Sequence, residues 1–136
     1  MTEGKMIDDS DLNHHDKIFI EQFNSGVGMV HDIAVEHGFH EGEDIQDLRV
    51  LGNKMMLMVG ELSEAHESIR KQGLDARCDK TVALSALEEE FADVIIRIMD
   101  TAEALNRSGL PMNLGRAIVL KAKYNDSRPY KHGKKF

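Results

Sequence analysis

Between about residue 47 and residue 106, apolar residues recur three and four positions apart in two long runs, a spacing that serves one face of a helix and no face of a strand. Leu51, Met55, Met58, Leu62, Ala65 and Ile69 form the first run, over about residues 47–71, and Gly73 closes it. The second spans about residues 81–106, with Leu84, Leu87, Phe91, Val94, Ile95, Ile98, Ala102 and Leu105 on its stripe. Ser108, Gly109 and Pro111 break it. A shorter run over about residues 113–125 carries Leu114, Ala117, Ile118 and Ala122, and Pro129 bars its continuation. Upstream, residues 16–24 read as a short helix interrupted near Ser25, Gly26 and Gly28. Val30, Ile33, Ala34 and Phe39 mark another, with Gly38 as its C-terminal cap. No stretch alternates as a half-buried strand does. The expected fold is all-α, a bundle of four main helices.

A chain of 136 residues suits one compact domain. Residues 16–128 are its expected extent, flanked by a polar, acidic tail over 1–15 without periodicity and a basic tail over 129–136. Aromatic residues are few and Trp is absent, which favours helices further. The formal charge of −7 argues against affinity for nucleic-acid backbone. Seven of the bases but only one acid, Asp126, lie from Arg116 onward, so a basic end follows an acidic body. Cys78 is the single cysteine and no signal-type or membrane-spanning apolar run occurs. The expectation is a cytoplasmic protein with no membrane partner.

Two tetrads carry the chemistry. Glu61-Leu62-Ser63-Glu64 lies in the first long run and Glu90-Phe91-Ala92-Asp93 in the second, each reading acid, large apolar, small, acid. At 3.6 residues per turn the two acids of a tetrad sit about 60° apart and one turn along the helix. Leu62 and Phe91 anchor the apolar stripes, so both acid pairs hold the same relation to the core. Antiparallel packing would turn them toward one cleft. Four carboxylates brought together repel one another and lose hydration, and therefore need a cation. An all-oxygen set without Cys or His selects a hard ion, Mg²⁺ first and Mn²⁺ next, and such ions share their shells with phosphates. A single E-x-x-E pair is common on solvated helices; a matched second pair is what points to metal.

The words Val59-Gly60-Glu61-Leu62-Ser63-Glu64-Ala65 and Glu88-Glu89-Glu90-Phe91-Ala92-Asp93-Val94 are separated as E-x-x-E, twenty-five residues, E-x-x-D. This pattern resembles the signature helices of the MazG-like, all-α nucleoside triphosphate pyrophosphohydrolases. The resemblance extends to Lys121 and to the ending Asn125-Asp126-Ser127-Arg128-Pro129-Tyr130, covering roughly residues 27–133. Gly60 departs from it, since many members carry another Glu there. The resemblance implies magnesium-dependent cleavage of a nucleoside triphosphate between the α- and β-phosphates, releasing pyrophosphate. Glu61, Glu64, Glu90 and Asp93 would be the metal ligands and catalytic carboxylates.

Lys121 and Asn125 share a helix face, and Arg128 follows just beyond its end; together they supply charge, donor and acceptor, and a bidentate fork. Their match to the family implies contact with phosphate or sugar. Arg97, one turn after Asp93, can pair with that acid or touch phosphate. Lys54, seven before Glu61, can reach the same cleft or stay solvated. By resemblance the region of His31 contributes to a nucleobase pocket, with Phe39 as a second candidate. The remaining histidines show no metal-ligand spacing. Wide apolar faces on a small chain, together with the resemblance, imply a homodimer or homotetramer. The alternative is a helical protein that binds nucleotides or partners without catalysis. A di-iron bundle is excluded, because no Glu precedes a His by three, and so is a P-loop enzyme.

Overall fold

In a computed structural model, which describes residues 4–81 and 83–133, the chain is helical, with four α-helices and no strand among the described residues. The helices are α1 (His14–Glu36), α2 (Leu48–Gln72), α3 (Ala86–Arg107) and α4 (Leu114–Asp126), with 3-10 turns over Asp9–Asp11 and Tyr130–Gly133. Contacts gather in two compact units. A central unit comprises Val27–Met112; a terminal unit comprises Met1–Gly26 and Asn113–Phe136.

In the central unit α2 and α3 pack antiparallel. Val50 and Leu51, early in α2, meet Ala104 and Leu105, late in α3, around the buried Ile45. Each helix is set by its ends. The Asp47 carboxylate accepts from the Arg49 backbone N–H at 2.9 Å, and α2 stops at Gly73, whose φ of +77° suits a residue without Cβ. Ser85 and Glu88 form a reciprocal capping box at the start of α3, both bonds 3.0 Å. That cap explains why α3 starts at Ala86 and not near residue 81. The preceding chain is tied elsewhere, with Cys78 N–H donating to Leu84 O at 3.1 Å and Ala86 N–H to Ala76 O at 2.8 Å.

Two further expectations change. The interruption near Ser25, Gly26 and Gly28 does not occur, for α1 runs through all three. Glycine costs a helix only about 1 kcal/mol against alanine, and burial of Val27 and His31 on the same helix opposes that. Leu62 and Phe91, expected to face the core, are 49% and 50% exposed. Their neighbours Glu61 and Glu90 are less exposed, and they meet between α2 and α3.

The terminal unit holds the first half of α1 against α4. A Cβ on Gly115 would lie 2.9 Å from Asn24 Oδ1 and 3.0 Å from Ile20 O, so glycine permits this approach. Asn24 fixes it by accepting from Gly115 N–H at 2.9 Å and donating to Asn113 Oδ1 at 2.7 Å. Residues 4–13, read from sequence as tail, carry a capped 3-10 turn, and Lys5 N–H donates to Ser127 Oγ at 2.6 Å. Arg116 reaches Asp9 at 2.7 Å and Lys123 reaches Asp16 at 2.9 Å. The outermost parts of both expected tails, residues 1–3 and 134–136, lie outside the described residues.

Candidate functional site

The antiparallel seam brings carboxylates from both tetrads together. One oxygen each from Glu61 and Glu64 on α2 and Glu90 on α3 lie within 4.8 Å of one another. Asp93 stands one turn along α3, outside that tight group but within its field. Burial, then the charges of Glu61 and Glu89, pushes its carboxyl above the ordinary aspartate value despite nearby Lys80 and Arg97. Glu90 is raised as well, first by burial and then by Glu64, Glu89, Glu61 and Asp93. Glu90 Oε2 is buried without a hydrogen-bond partner, a condition native proteins rarely leave uncompensated. Glu64 is exposed, so the group opens to solvent on that side. A divalent cation fits this set: the donors are oxygens, one lacks a partner, and the excess negative charge is concentrated in a partly buried spot. At Gly60, one residue before Glu61, an added Cβ would meet nothing within 4 Å.

Arg97 serves this group differently from expectation. Its Nε donates to Glu61 Oε1 at 2.6 Å, across to α2, in place of the expected pairing with Asp93 on its own helix. Glu89, not singled out from the sequence, is taken up by Lys80, which with the Cys78 thiol holds its carboxyl below the glutamate value.

Beside the cluster lies a cleft of about 990 Å³. Val30, Ile33, Phe39, Val50, Leu57 and Ile96 give it an apolar lining. Asn53, Lys54, Arg49 and Arg97 supply donors, and Glu61 and Asp93 connect it to the carboxylates. Phe39 and Lys54 both line this cleft. His31 does not line the cleft; it is 5% exposed, with Nδ1 2.7 Å from Asp100 Oδ1. The same Asp100 oxygen lies 2.7 Å from His40 Nε2, and His40 Nδ1 lies 2.7 Å from Glu43 Oε1. Lys54 Nζ closes this chain on Glu43 Oε2 at 2.9 Å. Burial opposes ionisation of Glu43, but the hydrogen bonds of Lys54 and His40 outweigh it and hold its carboxyl below the ordinary value.

Sequence reading passed over Asp100, His40 and Glu43. Asp100 had a usable signal, since it follows Asp93 by two turns on one face of α3. His40 and Glu43 had none, because only the return of the chain after α1 brings them to Asp100. Lys121, Asn125 and Arg128 belong to the terminal unit, where Lys121 Nζ and Arg128 stack over the Tyr124 ring at 4.6 and 5.9 Å. Compared with protein-family models, curated proteins and solved structures, the chain matches none of them.

Proposed function

We propose that this protein is a magnesium-dependent nucleoside triphosphate pyrophosphohydrolase of the MazG-like kind, converting a nucleoside triphosphate to the monophosphate and pyrophosphate in nucleotide-pool control. The observation that carries the reading is the meeting of Glu61, Glu64 and Glu90 at one seam, with Glu90 Oε2 unpartnered, beside a cleft that is apolar along one part and cationic along another. Glu61, Glu64, Glu90 and Asp93 would hold the metal. Magnesium bound there neutralises triphosphate charge and acidifies water.

The chain's own groups divide the remaining work. Val30, Ile33 and Phe39 offer apolar surface for one face of a base, excluding water around it. Arg97 lines the cleft while bonded to Glu61, so it can exchange that carboxylate for a phosphate oxygen without leaving its place. Lys54 and Asn53 add donors along the same lining. One carboxylate of this cluster would accept the proton of the water that attacks the α-phosphorus. Pyrophosphate leaves from the opposite side, in line with the attack.

The active form is proposed to be a homodimer or homotetramer. Leu62, Phe91, Ile95 and Met55 are each about half exposed on α2 and α3, an apolar face of a kind that single chains rarely leave in water. The phosphate- or sugar-binding role that the resemblance implies for Lys121, Asn125 and Arg128 is retained, and Lys121→Ala and Arg128→Ala should weaken nucleotide affinity with Mg²⁺ affinity unchanged. The reading as a whole is tested by ³¹P NMR of ribo- and deoxyribonucleoside triphosphates incubated with the chain and Mg²⁺. Pyrophosphate and monophosphate from at least one nucleotide support it; orthophosphate alone, or no turnover across the panel, refutes it.

A further inference from the structure

Away from the carboxylate seam, two histidine nitrogens converge on one carboxylate oxygen. His31 Nδ1 and His40 Nε2 each stand 2.7 Å from Asp100 Oδ1, and these atoms all lie within 4.8 Å of one another. The three side chains are 6%, 13% and 15% exposed, so water supplies little of what they need. The second nitrogen of His40 is also committed, facing Glu43 Oε1 at 2.7 Å, and Glu43 is braced by Lys54 through its other oxygen. An ionised carboxylate only accepts hydrogen bonds, so a neutral His40, with one ring proton, can donate to only one of Glu43 Oε1 and Asp100 Oδ1. The other contact then sets a ring lone pair against a carboxylate oxygen, and a cation, a second proton or a metal ion, is needed there.

We propose that His31 Nδ1, His40 Nε2 and Asp100 form a binding site for a divalent transition-metal ion of the zinc class, separate from the magnesium cluster and structural in role. Imidazole nitrogens select such ions over magnesium, and two histidines with one carboxylate make three of four tetrahedral positions. Asp100 lines the cleft, which admits a water as the fourth ligand. Glu43 does what the carboxylate behind a metal-bound histidine does: it fixes the tautomer and aims the ring. Metal bonds of about 2.0–2.1 Å place ligand atoms roughly 2.9–3.4 Å apart, so both 2.7 Å contacts open by some tenths of an ångström on binding. The ion would tie the second half of α1 and the chain after it to α3, all within the central unit.

The test is Zn²⁺ binding to the full untagged chain in a large excess of Mg²⁺, which keeps the carboxylate cluster occupied, with Co²⁺ as the spectroscopic substitute. The native chain should hold one Zn²⁺ per subunit, and Co²⁺ should show the visible absorption of a four-coordinate, nitrogen-bearing site. His40→Gln and Asp100→Asn should each lose that equivalent and that absorption. Glu43→Gln leaves all three ligands in place, so it should keep the stoichiometry while binding about 10–100-fold more weakly. Far-UV circular dichroism identifies any variant that fails to fold, and Glu43→Gln carries the test if the ligand variants do. No Zn²⁺ retained by the native chain, or an unchanged equivalent in His40→Gln, would overturn the proposal and leave a proton as the cation between Asp100 and the histidines.

Discussion

Arg97 on α3 donates through Nε to Glu61 Oε1 on α2 at 2.6 Å, and both side chains line the same cleft. Glu61 is therefore held by a cation that nucleotide could claim. Arg97→Met should lower nucleotide affinity roughly 10–100-fold, the loss of one charge-assisted bond to phosphate. Mg²⁺ affinity should hold or rise, because a competing positive charge is gone. Titration calorimetry with Mg²⁺ alone and with a non-hydrolysable triphosphate separates the two. Unchanged nucleotide affinity would assign Arg97 to a structural pair.

The carboxylate cluster carries its own signature in stability. Without metal, Glu61, Glu64 and Glu90 repel at the seam, and burial adds to the penalty at Glu90. Glu64→Gln removes a charge at nearly constant volume, so this variant should melt at or above the native temperature in EDTA. Native protein at a hundred times its Mg²⁺ dissociation constant should gain about 2.7 kcal/mol, and the variant at the same concentration much less. Equal magnesium increments in both proteins would make Glu64 an ordinary surface acid.

Assembly is expected to use the outward apolar face. Static light scattering should give at least a dimer at micromolar concentration. Phe91→Asp, placing charge on a half-exposed site, should shift it toward monomer with little loss of helix signal. A native monomer at that concentration would remove the proposed role of this face.

The start of α1 offers a pH test free of the metal question. Asn13 Oδ1 accepts from Asp16 N–H at 2.9 Å, and Asp16 Oδ2 accepts from Asn13 N–H at 2.8 Å. The Asn13 N–H, then Lys123, holds the Asp16 carboxyl below its ordinary value of 3.8. A depressed folded value means that the stabilisation is complete above the unfolded value and lost as pH falls through the folded one. Asn13→Ala should cost about 1 kcal/mol at neutral pH. In acid titration followed by NMR, Asp16 should protonate below a model aspartate; an ordinary titration would show that the clasp does not form.

What was legible in the sequence was mostly what one helix encodes by itself. The runs read over 47–71 and 113–125 differ from α2 and α4 by a residue at each end, because caps and periodicity are local. The acid pairs were visible for the same reason. Which way Leu62 and Phe91 turn depends on the rotation of α2 against α3, and helical spacing alone leaves that free. Arg97 bonds to Glu61 across to α2, a contact set by the register between helices, which spacing along one helix leaves free. The continuity of α1 through Gly26 and Gly28 reflects packing that overrides a weak local penalty. His31 and Asp100 are 69 residues apart in sequence, and no local pattern links them.

The most direct test of the proposed chemistry follows the oxygen of water. With Mg²⁺, the full chain and a nucleoside triphosphate that it turns over, the reaction is run in ¹⁸O-enriched water and the products are weighed by mass spectrometry. Attack at the α-phosphorus puts the label in the monophosphate and leaves pyrophosphate unlabelled, and Glu64→Gln or Asp93→Asn should slow that labelling by at least about 10²-fold. Label in pyrophosphate or orthophosphate, or full activity in both variants, would contradict the proposed reaction and its site.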